Sequence, residues 1–232
     1  MDLQTQGTKL CDLLGLRYPP VAISFQPSAP EGLRRVDQSG PAGCSYWKFA
    51  AEGNVFYTEA ADHYHCTIGA YTHGVNLPEE KGKELESVIG TMVNLEYIKM
   101  EEVPGIPRRT EPFGVAVYAP LSDAPLNPDV VLVRGNPKQV MLVAEAARAA
   151  NLGHEGAMMG RPACAMIPET MNSSHGNASL GCIGNRVYTG LQDDELYFAL
   201  PGAKVEEVVN KLETIVHANQ ELEKFHAARC AC

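Results

Sequence analysis

Apolar positions recur along this chain in two periods, and the period changes mark the elements. In "TKLCDLLGL" the residues Leu10, Leu13 and Leu14 fall at helical spacing and stop at Gly15, before the strand-like "VAISF" of Val21 to Phe25. Residues 26–43, rich in Pro, Gly and charge, read as a loop. "CSYWKFAAEG" then reads as a short helix closed by Gly53, and "NVFYTE" alternates as a strand. Leu85, Val88, Ile89, Met92 and Leu95 share one face of an amphipathic helix running from Glu79 to Leu95. "VPGIPRRTEP" from Val103 to Pro112 breaks the pattern. Two strands follow, "GVAVYAP" and "DVVLVRG", separated by the turn "LSDAPLNP"; the β-branched run of the second predicts burial. "PKQVMLVAEAARAANLG" predicts a helix with Asn136 as N-cap and Gly153 as its stop. The last third predicts a short helix near Cys164, a glycine turn at Cys182, the strand "ELYFALPG" and a closing helix from Val205 to about Ala228. That helix would bury Val205, Val208, Val209, Leu212, Ile215 and Val216.

The pattern is partly repeated. "PVAISF" has a counterpart in "DVVLVRG", "CSYWKFA" in "CAMIPET", and "CTIGAYTHG" in "CIGNRVYTG". Cys44 and Cys66 are 22 positions apart, Cys164 and Cys182 18. The break divides the chain into an N-terminal half, residues 1–105 with Cys44 and Cys66, and a C-terminal half, residues 106–232 with Cys164, Cys182 and the closing helix, unless the two form one integrated domain. The expected class is α/β or α+β: two weakly related halves with mixed sheets and a long C-terminal helix across them. A duplicated βαβ-like unit would set the cysteine pairs about a pseudo-twofold axis and bring four thiols to the seam.

At 232 residues the chain is long enough to bury its own core, so no metal is needed merely to fold it. A formal charge of -9 disfavours nucleic acid and anionic membrane as partners. No apolar run approaches membrane-spanning length, and "MDLQTQGTKLCDLLGL" lacks the basic start and apolar stretch of a signal peptide, so a cytoplasmic location is expected. Seven cysteines in that compartment read as reduced thiols, metal ligands or packing residues rather than disulfides. Two glycosylation sequons, at Asn172 and Asn177, carry no weight there.

Thiolates brought together from four separate segments suit a 4Fe-4S cluster, which takes one sulfur ligand per iron. Cys44, Cys66, Cys164 and Cys182 are the expected ligands. Gly69, Gly181 and Gly184 would let backbone amides approach the cluster sulfides, and a cysteine at a helix N-terminus meets the positive end of the helix dipole. Zinc is an alternative, although its structural sites favour close-spaced pairs, and so is the absence of any metal, with four cysteines simply buried. Cys11 reads as a core residue. Cys230 and Cys232 read as an incidental tail able to form a reversible disulfide.

"DHYHCTIGAYTHG", from Asp62 to Gly74, concentrates His63, His65 and His73 around Cys66. In an extended chain His63 and His65 face away from Cys66, so the expected ligand is Cys66, with neutral or supporting histidines; a mononuclear His63, His65 and His73 site is the competing reading. A cysteine- or metal-dependent enzyme is another, with Cys66 or Cys164 as nucleophile and His154 or His175 as base. Arg161 and Arg186 flank two cysteines and read as thiol activators, anion ligands or surface ion pairs. Asp193, Asp194 and Glu195 read as a solvated turn rather than a magnesium site. The chain holds neither G-x-G-x-x-G nor a Walker motif.

Taken together, "GCSYWKFA", "NVFYTEAADHYHCTIGAYTHG", "GRPACAMIP", "SLGCIGNRVYTG" and "DDELYFALPG" resemble the uncharacterised prokaryotic family of domain of unknown function 169, over nearly the whole chain. The resemblance implies a cytoplasmic bacterial or archaeal protein, often from anaerobes, and implies no reaction. The residues themselves point to an iron-sulfur protein with a redox or electron-transfer role, its partner a redox protein or a small molecule. A homo-oligomer is compatible with this reading, and a small-molecule binding module using the cleft between halves is the remaining alternative.

Overall fold

Apolar runs without polar alternation need cover on both faces, and helices supply it here. The computed structural model describes residues 1–152, 158–159 and 162–230. In chain order come α1 (Leu3–Leu14), β1 (Val21–Gln26), α2 (Ser45–Ala51), β2 (Phe56–Glu59), α3 (Thr67–Thr72) and α4 (Glu79–Asn94). Then follow β3 (Val115–Pro120), β4 (Val130–Gly135), α5 (Pro137–Ala149), β5 (Met158–Met159), α6 (Met166–Ser173) and β6 (Asn177–Ser179). The chain continues with α7 (Ile183–Thr189), β7 (Leu196–Pro201) and α8 (Val205–Cys230).

The strands form one seven-stranded sheet in the order β2-β3-β1-β4-β7-β6-β5, antiparallel except for the β5/β6 pair. Every residue of β3, β4 and β7 is buried. Alternate side chains of β4 show why: Val131 and Val133 pack in one layer with Leu10, Val143, Val208 and Leu212 of α1, α5 and α8. Val130 and Leu132 pack in the other with Tyr46 and Trp47 of α2 and Met166 and Ile167 of α6. Asn136 caps α5 through Gln139, as its sequence predicts, while the predicted stop at Gly153 lies outside the described residues.

The mixed α/β class and the long C-terminal helix stand as the sequence predicts. The plural sheets do not: strands from 1–105 and from 106–232 share one sheet, with β3 lying between β2 and β1. Hydrogen bonding, which leaves no edge free between neighbours, thus joins what the Pro-rich break separates in sequence. The α4 helix forms where its periodicity puts it but buries no residue fully, and Leu95 is 72% exposed because it falls just past the helix end. Cys11 is half-buried on α1, where Gln6, Gly7, Leu10 and Leu14 form the inner face. The short helices α3 and α7, each opened by a cysteine, replace the expected plain turns.

The registers on the two sides of the β1/β4 pair match. β1 meets β3 with Val21 opposite Pro120 through Gln26 opposite Val115, and β4 meets β7 with Val130 opposite Pro201 through Gly135 opposite Leu196. Each pairing is closed by the same backbone bond of 2.8 Å, Leu121 N–H to Pro20 O and Gly202 N–H to Asp129 O. Farther out, β2 puts Thr58 opposite Ala116 and β6 puts Ser179 opposite Tyr197, the second residue of its strand in each case.

Candidate functional site

Three of the sheet's helices on the α2/α6 face open on a cysteine. Cys44 precedes α2, Cys66 caps α3 and Cys182 caps α7, while Cys164 lies in the single 3-10 turn Ala163–Ala165 that leads into α6. The Cys66 Sγ accepts the Gly69 N–H at 3.4 Å. Each of the four thiols lies within electrostatic reach of the other three, and these contacts act on the protonation of Cys44, Cys66 and Cys164.

Burial dominates the chemistry of these thiols. It pushes Cys44 up to about 12, raises Cys66, and raises Cys164 well above the ordinary thiol value. Opposing it are neutral groups: the nearby Asn185 amide and the backbone at Cys44, the Gly69 and Ile68 amides at Cys66, and Thr72 at Cys164. None of the groups acting most strongly on these three is a cation. A thiol held protonated in this way is a poor nucleophile, and Cys44, Cys66 and Cys164 would become thiolates only beside a positively charged centre.

The surroundings hold buried polar atoms without hydrogen-bond partners. They include the Tyr118 hydroxyl, Trp47 Nε1, Ser45 Oγ and both polar atoms of the Asn185 amide, whose contact is the Cys44 sulfur. Tyr118 is 0% exposed and feels both Cys44 and Cys164. Sequence reading missed Tyr118, Asn185 and Thr72, because a tyrosine in a strand reads as core and an asparagine in a short helix as surface.

The histidine-rich stretch comes apart into separate roles. Asp62 accepts from Arg35 at 3.0 and 3.1 Å, from Ser39 at 2.8 Å and from the Glu59 N–H at 2.8 Å, which pins the Ala60–His63 turn. Burial opposes its charge, but these donors hold its carboxyl below the usual range. His63 and His73 are fully buried with ring centroids 5.6 Å apart. Burial, and then the neighbouring His73, pushes His63 down to about 3, and burial also lowers His73, so both are neutral. His73 Nδ1 donates to Gly69 O at 2.7 Å, and His63 Nε2 meets Thr58 Oγ1 at 2.9 Å. His65 stays exposed, so the three do not meet. Among the described residues no three His, Cys, Asp or Glu side chains are drawn together as ligands of a single metal ion.

The remaining candidates fall elsewhere. Gly69 lies against sulfur: a Cβ there would stand 3.3 Å from Cys66 Sγ and 4.0 Å from Cys164 Sγ. Gly181 instead takes φ +76°, and its N–H goes to Ser179 Oγ at 3.2 Å, as a tight turn requires. Gly184 sits within α7, with Tyr188 as its nearest neighbour at 3.5 Å. Arg186 clamps the loop around α7 through Leu180 O and Gln192 O, and Asp193 stands 3.8 Å from it. Glu195 pairs with Arg134, which lies over the Tyr18 ring and also holds Gly190 O; Asp194 is exposed. His175 is half-buried, Cys230 is exposed, and His154, Arg161 and Cys232 lie outside the described residues. A cleft of about 350 Å³ beside the 26–43 loop is lined by Arg34, Asp37, Phe49, Asn54 and Phe56, and no cysteine reaches it.

Fold and site together define a mixed α/β protein with helices on both faces of one sheet and with Cys44, Cys66, Cys164 and Cys182 at or near the starts of α2, α3, α6 and α7. The chain belongs to the family of domain of unknown function 169, described as uncharacterised ArCR, which it matches over residues 9–211. It is similar to an uncharacterised protein of the archaeon Methanocaldococcus jannaschii, at 27% identity over 225 residues covering 91% of this chain and 94% of that one. No solved structure matches it. Among the described residues no helix is long and apolar enough to cross a membrane.

Proposed function

We propose that Cys44, Cys66, Cys164 and Cys182 hold a 4Fe-4S cluster and that the protein passes single electrons to or from a redox partner. The observation that carries this reading is the mutual electrostatic reach of all four sulfurs, with no cation among the groups acting most strongly on Cys44, Cys66 and Cys164. Four thiolates cannot gather there uncompensated, so the chain must supply them to a centre that brings its own positive charge. A single zinc would need the sulfurs packed around one point, whereas a cluster with one cysteine per iron spreads them. When bound, the cluster supplies reversible one-electron chemistry. The chain's own part is to exclude water with Tyr46, Trp47 and Met166, and to aim the Gly69 N–H at a ligand sulfur.

The matched registers about β1/β4 support a duplication in which each unit runs strand, cysteine-led helix, strand, cysteine-led helix, strand, with α4 added in the first and α5 and β5 in the second. In that arrangement the units are residues 21–120 and 130–201, and the axis passes by Ala22 and Val131, which pair in β1/β4. Equivalent turns then meet over the axis, which is how sulfurs distant in sequence converge. Purification under anaerobic conditions tests the function. A brown protein with iron and acid-labile sulfide in equal amounts, lost on Cys→Ser change at any of the four positions, is the expected result. A colourless zinc protein, or one without metal after reconstitution with iron and sulfide, overturns it.

A further inference from the structure

We infer that the Tyr118 hydroxyl and the Asn185 amide are hydrogen-bond donors to the bound group, making it an acceptor-rich anion; the inference rests on the cluster reading above. Both side chains are buried, at 0% and 2% exposure, both carry polar atoms without a hydrogen bond of ordinary geometry, and both interact with the cysteines. Tyr118 stands by Cys44 and Cys164, and Asn185 by Cys44, so that one donor comes from strand β3 and the other from α7. The neighbouring Thr58 hydroxyl acts on Tyr118 but is engaged with His63 Nε2 at 2.9 Å and Ala116 O at 3.4 Å, and the Tyr118 hydroxyl makes no hydrogen bond of ordinary geometry with it. A buried hydroxyl left unpaired destabilises a fold, and an apolar ring of the same shape would avoid that cost. Retaining it makes physical sense where an acceptor occupies the space it faces. Cluster sulfides and thiolates are such acceptors, and neutral donors stabilise their negative charge most in the reduced state.

The two side chains are positioning residues, and their signature is opposite behaviour in the empty and loaded protein. Tyr118→Phe removes the unpaired hydroxyl without changing the ring, so the metal-free variant should melt no lower than the wild type. Reconstituted anaerobically with iron and sulfide, the same variant should show a more negative midpoint in a redox titration and about tenfold poorer cluster retention against a chelator. Asn185→Leu, a second site on a separate element, should move the potential in the same direction. Unchanged potential and retention in both variants would overturn the inference while leaving the cluster in place. So would a metal-free Tyr118→Phe protein that melts well below the wild type, since the hydroxyl would then serve the fold. Failure of the wild type itself to take up a cluster is a different result, which removes the reading beneath.

Discussion

The backbone N–H of Gly69 points at the sulfur of Cys66 across 3.4 Å, three residues along the same helix. The glycine is there because of the space: an added Cβ would come within 3.3 Å of that sulfur and 4.0 Å of Cys164 Sγ. Its backbone is helical, so Gly69→Ala carries no positive-φ strain and gains helix propensity of up to about 1 kcal/mol. The expected variant therefore folds at least nearly as well as the wild type but retains iron less well. Iron content beside a thermal melt checks this, and a variant with full iron and unchanged stability would show that the sulfur moves aside freely.

Cysteines outside the centre should be dispensable to it. Cys11 sits on α1, whose inner face packs in the α5/α8 layer, and Cys230 is exposed at the end of α8. Serine at Cys11, Cys230 or Cys232 should leave bound iron unchanged, whereas serine at Cys44, Cys66, Cys164 or Cys182 should remove most of it. Iron lost from a Cys230→Ser, Cys232→Ser double variant would place the tail in the centre.

Gly181 and Gly184 separate cleanly on structural grounds. Gly181 has φ +76° and a Cβ there would strike Leu191 at 2.6 Å, so Gly181→Ala should cost about 1 kcal/mol or more of stability. Gly184 is an interior residue of α7 with room around it, and Gly184→Ala should be neutral or stabilising by up to about 1 kcal/mol. Urea unfolding of the two metal-free variants measures both; equal destabilisation would contradict the turn assignment.

Acid should weaken the metal-free fold through its buried histidines. An unfolded histidine titrates near pH ~6.5, while burial and the neighbouring His73 depress His63 to about 3 in the fold. The fold thus favours the neutral ring, and the stability that follows is present above the unfolded value and is lost as pH falls toward the folded one. Each such group contributes a slope of up to about 1.4 kcal/mol per pH unit within that window. His73 shifts in the same direction. Between pH 6.5 and 5, before most carboxylates protonate, His63→Gln should show a shallower loss of stability than the wild type in urea titrations. Parallel curves would mean that His63 is not held neutral.

Much of the architecture is legible from periodicity. The helices α1, α5 and α8 and the strands β1, β3, β4 and β7 lie where apolar spacing puts them, because burial acts through side chains whose order is fixed by the local period. Less was legible around the cysteines. The helices α3 and α7 have only 6 and 7 residues, too few turns for a periodic signal, and their caps are cysteines rather than the usual serine or aspartate. Likewise, nothing local marks Tyr118 as different from any other strand tyrosine.

The sequence by itself determined where the longer helices and the main strands lie and which of their faces are apolar. Only the tertiary structure decided that β3 inserts between β2 and β1, that β1 pairs with β4, and that Cys44, Cys66 and Cys164 pack in one layer on a face of that sheet. It also decided that the histidines flanking Cys66 divide, His63 and His73 going to the interior and His65 to solvent. The reason is range: local sequence sets dihedrals and side-chain faces within a few residues, whereas strand pairing between residues about a hundred positions apart depends on burial summed over the whole sheet.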